Sequence, residues 1–143
     1  MIKSGFKIVF EAEWNTTHKY EEIEKLCNSY SETTLVCMAG QKQKDSGLID
    51  LCAISPIQEA FKKTSSLTEA HPVGNVYWYC VPGRAFGFAE TKTVDLSGEY
   101  MYDTVSSQKN QRMSWSFVSG GYRIGDCNGE ALPYRKYLLI LEK

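Results

Sequence analysis

Apolar and polar residues alternate along most of this chain with a period of two, the spacing that turns every second side chain of a strand to the same face. Phe6-Lys7-Ile8-Val9-Phe10 opens the pattern, with Phe6, Ile8 and Phe10 predicted to share one face. Leu35–Ala39 and Leu48–Ile54 read as two strands joined by a polar loop, Gly40–Gly47, which predicts a hairpin. Val76–Val81 is a strand rich in aromatic residues, Pro82-Gly83 is a turn, and Phe86-Gly87-Phe88 continues as a short strand. Its glycine points to the close approach of another backbone. Tyr100-Met101-Tyr102 reads as a short edge segment. Arg112–Val118 alternates cleanly, with Met113, Trp115 and Phe117 on one face and Ser114 and Ser116 on the other. Gly120-Gly121 then turns the chain into Tyr122-Arg123-Ile124. The last strand, Tyr134–Leu141, contains Leu138-Leu139-Ile140-Leu141, apolar on both faces, which predicts a central position in a sheet.

One segment departs from that period. Tyr20, Ile23, Leu26, Cys27 and Tyr30 form an apolar stripe at helical spacing, and Glu21, Glu22 and Glu24 load the first turns, where the helix dipole favours anions. The prediction is one amphipathic helix from about Thr17 to Tyr30, capped by Thr16 or Thr17. Pro56 ends the strand before it, Ile57–Phe61 suits a single helical turn, and Lys62–Pro72 reads as a polar loop. Thr91–Asn110 is mostly polar. Seven or eight short strands and one helix give a mainly β fold, an antiparallel β-sandwich or flattened barrel, forming a single domain over residues 1–143.

Composition narrows the function. The formal net charge of −1 lacks the cationic surplus that a phosphate-tracking groove needs, so no nucleic-acid partner is expected. No apolar run approaches the roughly 20 residues that span a bilayer. The Lys- and Gly-interrupted start is unlike an export signal, so a cytoplasmic location is the expectation. Under that expectation the sequon Asn15-Thr16-Thr17 stays unmodified. The five cysteines, Cys27, Cys37, Cys52, Cys80 and Cys127, are odd in number and have no C-x-x-C spacing, which suits free thiols in a reducing compartment.

Candidates for catalysis are scarce. The two histidines, His18 and His71, lie far apart in sequence with no second nitrogen ligand nearby, so neither zinc nor any other cofactor is expected. Asp126-Cys127-Asn128-Gly129-Glu130 places oxygen side chains at alternate positions but lacks the later bidentate Glu of a calcium loop, and Asn128-Gly129 is better read as a hairpin turn. Gly120–Gly125 matches no phosphate-loop pattern. A cysteine enzyme would need Cys27, Cys80 or Cys127 beside a histidine, which nothing local supports.

All four arginines, Arg84, Arg112, Arg123 and Arg135, fall in the C-terminal part of the chain, each near aromatic residues. One reading is a polar-aromatic surface made by Trp78, Arg84, Arg112, Trp115, Tyr122 and Arg123. The structural alternative lays each guanidinium over a ring or ties it to backbone carbonyls at loop ends. The functional expectation is a non-catalytic binding module for a carbohydrate or another small polar ligand. The alternatives are a protein-interaction or homo-oligomerising β domain and, behind both, the cysteine-dependent enzyme.

Tyr77-Trp78-Tyr79, Phe86-Gly87-Phe88-Ala89, Arg112-Met113-Ser114-Trp115, Gly120–Gly125 and Tyr134–Leu138 together resemble an aromatic-rich β module found in protist and invertebrate proteins, often secreted and in tandem copies. The resemblance covers roughly residues 33–141 and implies kinship without an assigned activity. Many copies of that module carry Cys at the positions of Ser114 and Ile124, and often His at that of Ser116. If the two cysteines pair in the relatives, the resemblance implies a disulfide lost here, and it carries over no histidine-based site.

Overall fold

The computed structural model describes residues 5–13, 16–41, 51–99, 101–105, 111–118, 122–124 and 135–142. Its strands are β1 (Lys7–Glu13), β2 (Leu35–Gln41), β3 (Leu51–Pro56), β4 (His71–Val73), β5 (Val76–Val81), β6 (Ala85–Ala89), β7 (Met113–Ser116), β8 (Tyr122–Ile124) and β9 (Arg135–Leu141). Helix α1 spans Tyr20–Asn28 and the single turn α2 spans Ile57–Ala60. The strands make two antiparallel sheets, one of order β1-β9-β2-β3 and one of order β4-β5-β6-β7-β8. This is the mainly β, sandwich-like architecture that the alternation predicts. The predicted hairpin is the β2/β3 pair, and β9 runs between β1 and β2, the central position predicted for it.

The core lies between the sheets. Val36, Met38, Leu138 and Ile140 from one sheet meet Trp78, Cys80, Phe86, Phe88, Met113 and Trp115 from the other. The rings interlock edge to face: Phe86 lies 5.1 Å from Trp115 at 81°, and Phe61 lies 5.7 Å from Phe86 at 81°. Helix α1 closes one side of this core by burying Ile23 and half-burying Tyr20, Leu26 and Cys27; it ends at Asn28, short of the predicted Tyr30, which is half-buried beyond it.

Four local expectations need correction. The helix starts at Tyr20, three residues later than the predicted Thr17, and its N-cap is Lys19 in an extended conformation. His18 is buried, and holding its ring in the core keeps the backbone extended up to that point. Ile8 does not share the inward face of β1. The register with β9 shifts between Ile8 and Phe10, a β-bulge that turns both Val9 and Phe10 to the core and leaves Ile8 39% exposed. The third correction is that Lys62–Pro72 is not simply a loop, because it contributes β4, paired to β5. Finally, Met101 and Tyr102 are not in a strand: Met101 has φ 58° and Tyr102 is buried.

The five-stranded sheet is buried on both sides. Its outer face carries Tyr79, Val81, Ala85 and Ala89, packed with Ala70, Val94, Leu96 and Tyr102. Residues 67–70 and 92–96 are bonded to one another over that face, through Ala70 N to Lys92 O at 2.8 Å, Val94 N to Thr68 O at 3.0 Å and Leu96 N to Leu67 O at 2.8 Å. Gly87 sits opposite Ser114 on this face, and a Cβ there would lie 1.9 Å from the Met113 carbonyl oxygen. The backbone approach predicted from the sequence is therefore present. The predicted turns at Gly40–Gly47, Gly120-Gly121 and Asn128-Gly129, the strand residues 48–50, Tyr100, Tyr134 and the cysteine at 127 lie wholly or largely outside the described residues.

Candidate functional site

The arginines come first, because the sequence singles them out. Arg112 is fully buried on the outer side of the five-stranded sheet. Its Nε donates to Asp103 Oδ2 at 2.9 Å, one terminal nitrogen to Thr91 Oγ1 at 2.9 Å and to Glu90 Oε1 at 3.3 Å, and the other to the Thr93 carbonyl. Asp103, also fully buried, accepts in turn from the backbone N–H groups of Asp95 at 3.1 Å and Val105 at 3.0 Å. Ser114 Oγ accepts from Asp103 N at 3.0 Å. Arg123 donates to the carbonyl oxygens of Val105 at 2.6 Å and Asp103 at 3.4 Å. The two guanidiniums thus staple residues 90–105 to the sheet and present no face to a ligand. Their planar forks suit this task because several acceptors converge on one buried group.

The aromatic members of the expected surface are placed the same way. Trp78 and Trp115 are both buried, with Trp78 Nε1 donating to Ser55 Oγ at 2.9 Å. Neither indole offers a stacking face to a sugar. Arg84 is half-buried on the turn between β5 and β6, where its N–H bonds Val81 O at 3.0 Å and its carbonyl accepts from Phe117 N at 2.8 Å. Tyr122 follows Trp115 in register on β8. Trp78 and Trp115 both contribute to the core, while Arg112 and Arg123 meet at Asp103 on the other side of the sheet. The six residues therefore do not converge on one surface.

A different site lies between β1, α1 and the sheet interior. The bulge in β1 directs Val9 and Phe10 at Ile23 and Leu26 of α1, and a cavity of about 120 Å³ remains among them, walled also by Trp115 and Leu138. Its polar lining residues are His18 and Glu22. The His18 ring packs edge-on against Phe10 at 4.5 Å and lies 6.0 Å from Trp115, and only 3% of the residue is exposed. Glu22 Oε2 stands 3.9 Å from Nδ1, beyond hydrogen-bonding distance, and that carboxylate faces solvent. Nε2 is buried with no hydrogen-bond partner among the described residues. Burial, reinforced by the charge of Lys136, pulls the His18 pKa down to about 4.

Lys136 completes the cluster. It is 2% exposed, its Nζ donates to the Thr16 carbonyl, and it lies 5.0 Å from the centre of the Trp115 ring. Among the described residues no carboxylate lies within 4.0 Å of it. Desolvation lowers its pKa to about 7. A buried lysine with no carboxylate among the described residues is uncommon, and His18, itself perturbed, lines the cavity. The sequence weighs His18 only as a zinc ligand or a thiol partner, and it does not single out Lys136, which sits beside Arg135 at the polar start of the last strand.

The described thiols of Cys27, Cys37 and Cys80 carry no sign of activation. Burial pushes Cys80 up to about 12, and burial with the nearby Glu24 charge raises Cys27, the opposite of what a nucleophile needs. His71 Nε2 is 2.6 Å from the Glu59 carbonyl, so its one hydrogen bond is to backbone and not to a thiol. Cys37 and Cys52 face each other diagonally on the outer side of the four-stranded sheet, and their mutual hydrogen bond holds the Cys37 thiol protonated. Among the described residues no cluster of three or more His, Cys, Asp and Glu could hold a metal ion, and no helix is long and apolar enough to cross a membrane. Ser114 and Ile124 turn to opposite faces of the sheet, since Ser114 pairs with Arg123 and Ile124 with Met113. In this fold, cysteines at those two positions would not reach one another. No protein-family model, curated protein or solved structure matches this chain.

Proposed function

We propose that the chain is a non-catalytic binding module whose ligand enters the cavity between β1 and α1. The observation that carries this reading is the buried, unpartnered Nε2 of His18 in the wall of a cavity that is otherwise mainly apolar. A buried polar atom without a partner costs about 1–3 kcal/mol, a cost that a ligand hydrogen bond would recover. Small-molecule sites have this composition, with apolar walls and a few placed polar groups. The expected ligand shifts accordingly, from a sugar stacked on exposed rings to a small molecule with an apolar body and one polar head.

A fragment set observed by protein NMR tests the reading. Ligands of four to eight heavy atoms (roughly the content of a benzene-sized cavity) should shift the signals of His18, Leu26 and Leu138. Leu26→Trp, which fills the cavity from the helix side, should abolish those shifts while leaving the strand signals in place. A set that moves none of these signals overturns the proposal.

A second reading has its own observation. Ile8, Leu139, Cys37 and Ile54 are in register across all four strands of the smaller sheet on its outer face, and Ile8 and Ile54 are 39% and 44% exposed. An apolar row on an outward sheet face favours a protein partner or self-association. Light scattering on the wild type and on Ile54→Lys decides it: a monomer at every concentration removes the homo-oligomer.

A further inference from the structure

Two cysteines share the outward face of the smaller sheet. In the β2/β3 register Cys37 stands opposite Ile54 and Cys52 opposite Ala39. The pair between them, Met38 and Ala53, turns into the core, so both thiols point the other way as diagonal neighbours. Ala39 offers only a methyl group opposite Cys52, and the two thiols are hydrogen-bonded to one another. Cys37 is half-buried, whereas Cys52 is exposed. Cys52 also lines a recess of about 300 Å³ beside β3, with Ile54, Asn75, Val76 and Gln111, which leaves room for a small molecule at this end of the sheet. The pair lies on the opposite face of the smaller sheet from the cavity, so its chemistry does not depend on what the cavity holds.

We propose that Cys37 and Cys52 form an exchangeable dithiol that is oxidised by small disulfides such as glutathione disulfide, with Cys52 as the attacking sulfur and Cys37 as the resolving one. Exposure sets the order, because solvent reaches Cys52 first. The Cys52 thiolate attacks one sulfur of the small disulfide. A bond to Cys52 forms, the original S–S bond breaks and one small thiol leaves. The Cys37 thiolate then attacks Cys52 Sγ, the second small thiol leaves, and a Cys37–Cys52 bond remains. The two cysteine protons end on the two small thiols, whose parent disulfide has gained the two electrons that the protein lost.

The second step requires Cys37 to ionise. In the reduced pair it is held protonated, first by its hydrogen bond to Cys52, then by burial and by the charge of the neighbouring thiol. A capped Cys52 sulfur carries no charge and accepts only weakly, so the first step removes the restraints that oppose the second. Geometry makes the product labile. Diagonal neighbours on paired strands stand about 7–8 Å apart, with Cβ atoms somewhat closer. A relaxed disulfide spans roughly 4.4–6.8 Å between Cα atoms. β3 is last in the order of its sheet, so it yields to closure more readily than a central strand, and a bridge closed under that strain is easily reduced.

The test incubates the native full chain with oxidised glutathione at about pH 8, near the ordinary thiol pKa. The sample is quenched with acid, its remaining thiols are alkylated, and its peptides are read by mass spectrometry. The expected product is lighter by two hydrogens and joins the peptides of Cys37 and Cys52, and excess reduced glutathione should reopen it. Cys37→Ser should stop at the first step and accumulate a glutathione adduct on Cys52 several-fold above wild type, and Cys52→Ser should give neither product. A wild type that carries the adduct at the level of Cys37→Ser, or a bridge from Cys52 to any other cysteine, overturns the proposal. So does a bridge that reduced glutathione leaves closed, or a chain that forms neither product. An adduct on Cys37 in Cys52→Ser as abundant as that on Cys52 in Cys37→Ser overturns the order of attack. The wild-type arm decides alone if either variant does not fold.

Discussion

The molecule buries basic side chains in two places and treats them in opposite ways. On the outer side of the five-stranded sheet, Arg112 and Arg123 are surrounded by acceptors: two carboxylates, a hydroxyl and three backbone carbonyls. Between the sheets, Lys136 and His18 share one carbonyl and a set of ring faces. The first arrangement is self-sufficient, since every formal charge in it is answered within the chain. In the second, no carboxylate among the described residues lies at bonding distance, and burial lowers both pKa values instead. The difference separates a staple from a candidate site more surely than residue type does, because arginine beside aromatics is the pattern that reads as a binding surface in the sequence.

That contrast can be broken by experiment, and the largest effect belongs to the closed side. Gly87→Ala forces a Cβ to within 1.9 Å of the Met113 carbonyl oxygen, and backbone cannot yield as a flexible side chain does. A loss of about 3 kcal/mol or more, or failure to fold, is expected in chemical denaturation. A tolerated alanine would mean that β6 and β7 are not as close as described. Arg112→Met comes next. It leaves Asp103 buried with only backbone donors and the distant edge of Arg123, and should cost about 3–5 kcal/mol.

At the cavity the signs reverse. His18 titrates near pH 4 in the folded chain against about 6.5 unfolded, so the unfolded state holds more protons between those values. Its contribution to stability is present above pH 6.5 and lost as pH falls toward 4, on the order of 2 kcal/mol. His18→Phe, compared with wild type at about pH 7 and 4.5, should lack that increment. Lys136 works in the same direction in a higher window. Its folded value of about 7 lies below the unfolded 10.5, so wild-type stability relative to Lys136→Met should rise from about pH 7 to 8.5, before ionising thiols intervene. At pH 7 the Lys136→Met change itself should be nearly neutral or stabilising by about 1 kcal/mol, the smallest effect of the series. A loss as large as that of Arg112→Met would show that Lys136 is a structural cation after all, and would remove the comparison on which the site rests.

The placement of particular residues shows how much a one-dimensional pattern can carry. Alternation located β5, β6, β7 and β9 and assigned the inward faces of β7, because period two is a local property of the backbone. The doubly apolar run at Leu138–Leu141 correctly marked a central strand, with Leu138 and Ile140 in the core and Leu139 buried on the outer face between Ile8 and Cys37. The helical stripe from Tyr20 to Tyr30 identified α1 and its buried face, and Gly87 announced a close backbone. The same periodicity misread Ile8, because one extra residue in β1 reverses the faces and nothing local announces the bulge. It also missed the second core, because the covering segments 67–70 and 92–96 are polar at most positions and bury only a few apolar side chains each.

The residues of the candidate site lie furthest from sequence reach. Val9 and Phe10 face the cavity because of the bulge, His18 because the chain stays extended until Lys19, and Trp115 and Leu138 because two sheets bring distant strands together. What the sequence determined by itself was most of the strands (β4 excepted), the amphipathic helix and the shortage of local catalytic motifs, all consequences of side-chain order along the backbone. The tertiary structure alone decided which cations are neutralised, because Asp103 reaches Arg112 and Arg123 across loops and strands, while no described acidic side chain is brought to bonding distance of Lys136. Charge compensation depends on distances of a few ångströms between residues far apart in the chain, and those distances exist only after folding.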